Sequence, residues 1–147
     1  MTSAIVQIGT ALVAMLAAPP LELTATFRFA PETALNTTPP GLEVIVSPAS
    51  IEFTAADRST TFRDHRLWIL VRRKLGTDPG PPALDGYEEQ VAELVDLVER
   101  IADSLHRAVI TGAPVTDVGI DPVVDRMHLR EQNQFVSIVS VTCRQRK

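Results

Sequence analysis

Residues 61–80 read TFRDHRLWILVRRKLGTDPG. The run from Leu67 to Val71 is uninterruptedly apolar. Arg72, Arg73 and Lys74 follow at once, and Gly76, Pro79 and Gly80 end the pattern. A short run rich in branched and aromatic residues, bounded by turn formers, reads as a β-strand, and we place it at 63–74. Strand side chains alternate between faces. Trp68, Leu70 and Arg72 therefore share one side, and Leu67, Ile69 and Val71 share the other. A strand apolar on both faces is central in its sheet, or another chain covers its second face. The second possibility is a first physical reason to expect an oligomer. The three bases do not form one patch, because Arg72 and Lys74 face opposite to Arg73. Three readings of them stay open: charge that keeps a strand end soluble and unpaired, contact with an acidic surface of another subunit, and contact with nucleic acid.

Working outward, ASIEFTAADRSTTFRDH (49–65) is polar and weakly patterned. It reads as a long loop or as a β-hairpin protruding from the sheet, with DRST at its tip. GLEVIVSP (41–48) reads as a short strand stopped by Pro48, and APETALNTTPPG (30–41) as a loop. In LELTATFRFA (21–30) apolar and polar residues alternate, which predicts a strand with one face on a core. Residues 3–18 form a helix, with Ser3 as N-cap and Ile5, Ile8, Leu12, Met15 and Leu16 on one face. Pro19 and Pro20 end it.

Downstream, GTDPGPPALDG (76–86) is a loop dense in proline and glycine. A long helix is expected over 84–107. Val91, Leu94, Val95, Val98, Ile101, Ala102 and Leu105 make its apolar stripe, and Glu88, Glu89, Glu93, Asp96, Glu99 and Asp103 lie mainly outside it. Strands are predicted at 113–120 and 134–145, with a polar turn at 125–133. The order is helix, three strands, helix, two strands. It predicts a single α+β domain over 1–147, with a mainly antiparallel sheet of about four to five strands and both helices packed on one face.

Composition narrows the function classes. Fourteen basic residues against eighteen acidic ones give a net charge of −4, whereas a general nucleic-acid binder is usually basic. The lone cysteine, Cys143, forms no internal disulfide, and its place in an apolar run predicts a buried strand residue. ALVAMLAAPP (11–20) has the look of a signal-peptide core, but no Lys or Arg precedes Arg28 and the run is too short to span a bilayer. We read it as an amphipathic helix and expect no membrane partner.

Chemistry is sparse. His65, His106 and His128 show no metal-ligand spacing with one another or with Cys143. GxSxG, HExxH, CxxC, P-loop and GxGxxG patterns are absent. Asp117, Asp121 and Asp125 are spaced by four, but Gly119 and Pro122 prevent a helix from aligning them. The expectation is a protein that is not an enzyme and that holds no metal and no cofactor.

The layout as a whole resembles small tail-completion proteins of tailed bacteriophages, of the tail-terminator kind. The matching segments are FRFAPE (27–32), LEVIVSP (42–48), ADRST (56–60), DHRLWILVRRK (64–74), ELVDLVERIADSL (93–105) and QFVSIVSVTCR (134–144), in that order. Thr142-Cys143-Arg144 departs from the pattern, which has an aromatic before the base, and so does the proline-rich turn at 79–82. The resemblance implies a virion structural protein that closes into a homo-oligomeric ring, commonly a hexamer. Such a ring caps the tail tube protein, meets the head-completion or connector proteins, and lets DNA pass through its lumen without specific binding. A head-side connector of the phage neck, or a small nucleic-acid-associated module, is the alternative. Candidate subunit or tube contacts are Asp57 and Arg58 in the 49–64 segment, the bases Arg72, Arg73, Lys74 and Arg144, and the helix carboxylates Glu93 and Glu99. Opposite charges on different elements suit head-to-tail packing.

Overall fold

The computed structural model describes residues 3–29, 42–75, 84–126, 129 and 134–146, with the backbone alone over 84–88. Helix α1 spans Ala4–Ala17 and α2 spans Leu84–Leu105. The strands are β1 (Ala25–Phe27), β2 (Glu43–Ala55), β3 (Thr61–Lys74), β4 (Val109–Ile110), β5 (Ala113–Ile120) and β6 (Gln134–Arg146). They form one sheet in the order β1-β2-β3-β6-β5-β4. Among the described residues the fold is α+β with the two helices α1 and α2 that the order of patterns predicts. Among the described residues the sheet has six strands rather than four to five, and it is mixed, because β1 runs parallel to β2.

Helix α1 begins where Ser3 takes an extended conformation and its side chain accepts from the Val6 amide. Its buried residues Ile5, Ile8, Gly9, Leu12 and Leu16 follow helical spacing. Helix α2 buries Leu94, Val98, Ile101 and Leu105 at steps of four, three and four. It ends two residues before the expected boundary because Arg107 adopts φ 68°, the left-handed conformation that closes many helices. These residues join Val44, Val46, Leu67, Ile69, Val71, Phe135, Val139, Val141 and Cys143 in one core cluster. Both helices therefore lie on a single face of the sheet.

Central position explains the doubly apolar strand. β3 pairs with β2 on one side and with β6 on the other along nearly its whole length. Leu67, Ile69 and Val71 face the helices. On the opposite face Leu70 is buried with Ile45 and Val136 in a small second cluster. That face is thus largely covered within the chain, with Trp68, 45% exposed, and Arg66 open on it.

The 41–48 strand does not stop at Pro48. β2 continues to Ala55, with a register shift between Pro48 and Ser50. Two local facts let proline in. β1 pairs with β2 only from Val44 to Val46, so among the described residues no strand lies on the outer side of β2 from Ser47 onward. The bulge also relaxes the ladder there, and proline is tolerated on edges and at bulges. The expected loops at 30–41 and 76–83, and most of the 125–133 turn with His128, lie outside the described residues.

Candidate functional site

Beyond Pro48 the β2–β3 hairpin leaves the packed core. Among the described residues, none from 49 to 64 belongs to either core cluster. β6 accompanies the hairpin outward, pairing Cys143 with His65, Arg144 with Asp64 and Arg146 with Phe62. The result is a three-stranded arm built from residues 50–55, 61–65 and 143–146. Register fixes its two faces. Ile51, Phe53, Arg63, His65, Cys143 and Gln145 lie on the helix side, and Glu52, Thr54, Phe62, Asp64, Arg144 and Arg146 lie on the other.

The arm is held by specific contacts. Asp57 Oδ1 accepts from the amides of Ser59 (2.8 Å) and Thr60 (2.7 Å) and from the Ser59 hydroxyl (3.1 Å). These donors, the Ser59 amide first, hold its carboxyl below the usual range. Such an Asx turn is a common way to close a tip of this kind. Arg144 donates Nε (2.9 Å) and Nη2 (3.1 Å) to the two oxygens of Asp64, and it stacks 4.8 Å over Phe62. The Arg144 hydrogen bond lowers the Asp64 carboxyl and, in return, raises the guanidinium. On the helix side Arg63 sits 5.3 Å over Phe53, and His65 Nε2 lies 3.2 Å from Gln145 Oε1. Ile51 is 40% exposed and Phe53 65%.

The sequence-predicted contact residues divide accordingly. Asp57 and Arg58 are exposed at the arm tip, so the structure brings them to one end of the molecule. Arg73 and Lys74 are exposed at the opposite end of β3. Glu93 and Glu99 are exposed on α2. Arg72 is different: it is buried, and Nε (3.0 Å) and Nη2 (2.6 Å) both donate to Glu43 Oε1. Arg144 is likewise engaged with Asp64. Two of the predicted strand bases are therefore neutralised inside the chain, which leaves no continuous run of free base at 72–74.

Sequence reasoning missed Ile51, Phe53, Glu43 and Asp64. The first two carry a legible signal: Ile51, Phe53 and Ala55 alternate with Glu52 and Thr54 soon after Pro48, a period-two pattern hidden by treating the proline as a stop. The partners of Arg72 and Arg144 lie 29 and 80 positions away in sequence, and no local pattern points to them.

Other chemistry is slight. Among the described residues no three His, Cys, Asp or Glu side chains gather where they could hold a metal ion, and no helix is long and apolar enough to cross a membrane. A pocket of about 260 Å³ between the C-terminal ends of α1 and α2 is lined by Met15, Leu16, Pro19, Pro20, Leu21 and Leu105, among others. The Ser104 hydroxyl at its wall is spent on Ile101 O (2.8 Å), so that side chain is poorly placed to orient a ligand.

No protein-family model matches the chain, and no curated protein does. Among solved structures, a chain from the virion of a native gene transfer agent particle aligns with a TM-score of 0.49 at 14% identity, over 99% of this chain and 96% of that chain. A likeness at that level carries no argument about what this chain does.

Proposed function

We propose that this protein is a virion structural component of a tailed phage or phage-like particle, one that completes the tail as a ring and joins it to the head-completion proteins. The observation that carries the reading is the arm: a three-stranded extension whose hairpin, residues 49–64, lies outside the core clusters, with Ile51 and Phe53 open to solvent. Isolated apolar side chains are ordinary at a surface, but two neighbouring ones on an extended strand edge expose the protein to association. An assembly protein has a use for such an edge. The order of the sequence motifs supports the same reading, because the layout resembles tail terminators along nearly the whole chain.

Charge supports it as well. The exposed side of α2 carries Glu93, Glu99, Asp103 and an Asp96 paired with Arg100, while Arg58, Arg66, Arg73, Lys74 and Arg146 outnumber Glu52, Asp57 and Asp117 among the exposed charges of the hairpin and sheet. Opposite signs on separate surfaces favour a heterologous contact over a two-fold one. Internal pairing of Arg72 and Arg144 weakens the nucleic-acid alternative, since fewer bases remain for phosphates. In this reading the protein is a structural part and performs no catalysis.

Light scattering behind a sizing column, at low and high salt, tests it. The expected result is a discrete species of several times 16.0 kDa, with about six copies fitting the tail-terminator ring. A monomer at every concentration, together with salt-sensitive DNA binding, overturns the ring reading in favour of a nucleic-acid-binding module.

A further inference from the structure

Among the described residues the arm has two open edges. On one side, β1 pairs with β2 only from Val44 to Val46, and among the described residues no strand pairs with the outer edge of residues 50–55. On the other side, β5 meets β6 from Val139 to Cys143, and among the described residues no strand pairs with the outer edge of 144–146. Exposed strand edges are usually guarded by proline, bulges or charge. Here Pro48 and the bulge guard the base of β2, but residues 51–55 contain only one charge, Glu52, beside exposed Ile51 and Phe53.

We infer that copies of this chain join arm to arm, the β2 edge of one adding to the β6 end of the next as a continuous sheet. The inference rests on the ring reading and names its contact. Direction follows from the fold: β2 and β6 both run antiparallel to β3, so a repeated β2-β3-β6 order places β6 of one copy parallel to β2 of its neighbour. The two edges differ, so the contact is heterologous and each copy offers both halves, which is the requirement for closing a ring. Charge selects β6 over the open part of β5. On the face away from the helices, β2 presents exposed Glu52, the end of β6 presents exposed Arg146, and β5 presents exposed Asp117. Arg146 beside Glu52 is favourable, and Asp117 beside Glu52 is not. Ile51 and Phe53 then lie at the joint and lose their water.

Cysteine pairs test the contact. Thr54 and Arg146 both stand level with Phe62 in the sheet, on opposite sides of it. Thr54→Cys with Arg146→Cys reports an unshifted joint, and Glu52→Cys with Arg146→Cys reports one shifted by two residues. Within one chain these positions are two strands apart, about 10 Å, beyond the reach of a disulfide. Cys143 is buried and does not interfere. Oxidation of at least one double variant is expected to give a ladder of covalent multimers, while each single variant stops at dimers. Ile51→Lys with Phe53→Lys is expected to reduce the solution mass to 16.0 kDa with an unchanged circular dichroism spectrum, since both side chains are exposed.

The outcomes separate. Multimers that survive the two lysines and give no ladder overturn the arm contact and leave the ring reading standing. Wild-type protein that is monomeric at every concentration, with no ladder from either double variant, overturns both.

Discussion

Arg72 and Glu43 form a forked ion pair across β3 and β2, with Nη2 at 2.6 Å and Nε at 3.0 Å from the same carboxylate oxygen. They are direct register partners, and the guanidinium side chain is only 4% exposed while Glu43 keeps 21%. A base that reads as part of a surface run is thus a structural strut. Removing one partner of a buried pair leaves the other charged and poorly solvated, which costs about 3–5 kcal/mol. Glu43 retains some water, so Arg72→Ala is expected near the low end, about 3 kcal/mol. Arg73→Ala and Lys74→Ala, at exposed positions, are expected within about 0.5 kcal/mol of wild type. Urea titration of the three variants checks the contrast, and equal stabilities would deny Arg72 this role.

The Asp64–Arg144 pair makes the arm acid-sensitive. Hydrogen bonding to Arg144 holds the Asp64 carboxyl below its ordinary value of 3.8. A depressed folded-state value stabilises the fold above the unfolded value, and that contribution is lost as pH falls through the folded value. The loss therefore begins near the ordinary value of 3.8 and grows downward. Arg144 is 42% exposed, so solvent screening keeps the contribution small. Asp64→Asn is expected to lose this contribution at neutral pH and to show a shallower decline in acid. Amide exchange of residues 61–65, compared between neutral and strongly acid solution, reads the effect locally.

Gly9 lets α1 come close against the sheet. A side chain there would overlap the Phe27 ring and come within 3.3 Å of Leu67 Cδ2. Phe27 is itself packed edge-on against Phe29 at 5.2 Å. Gly9→Val is expected to destabilise by about 2 kcal/mol, because overpacking costs about 1–3 kcal/mol and exceeds the few tenths gained in helix propensity. Thermal unfolding measures it, and a raised midpoint would show that Phe27 swings aside.

Cys143 is fully buried, and burial pushes its thiol up to about 11 from 9.0. A raised value means that the folded state favours the neutral thiol. For this group the sign is that of an acid whose neutral form is the folded one: as pH rises from 9.0 toward 11, the unfolded chain releases the proton first and stability falls. Native protein at about pH 8 is expected to resist iodoacetamide, and urea-unfolded protein to react fully. Rapid labelling of the native chain would place the C-terminal half of β6 outside the core.

The elements with strong local periodicity were legible in the sequence. The 113–120 strand and the start of the 134–145 strand coincide with β5 and β6, and the α2 stripe supplies its buried residues as read. What failed has physical causes. β4 is two residues long, too short to show any period. The parallel placement of β1 beside β2 depends on a chain crossing that local pattern does not encode. Pro48 reads as a terminator because a proline stops a strand when both of its edges are in use, and edge status is a property of the sheet. Of the candidate contacts, exposure at Glu93 and Glu99 followed from helical spacing, and exposure at Arg73 and Lys74 from their place as charges at the end of a strand, since alternation puts them on opposite faces. The internal engagement of Arg72 and Arg144 did not, since their carboxylate partners are brought close only by folding.

Trp68 distinguishes two ways of assembling. It is 45% exposed in the middle of β3, on the sheet face away from the helices, flanked by buried Leu70 and Ile45. Packing that face against another subunit would bury the indole, whereas joining copies through their arm edges leaves it in water. Edge joining therefore predicts the same emission maximum and the same acrylamide quenching in the multimer and in the Ile51→Lys, Phe53→Lys monomer. Trp68→Ala is expected to cost the subunit about 1 kcal/mol, less than the roughly 3–5 kcal/mol of a core tryptophan, and to leave the multimer's mass otherwise unchanged. A blue shift on assembly, or dissociation of the multimer by Trp68→Ala, would instead assign the contact to this face of the sheet.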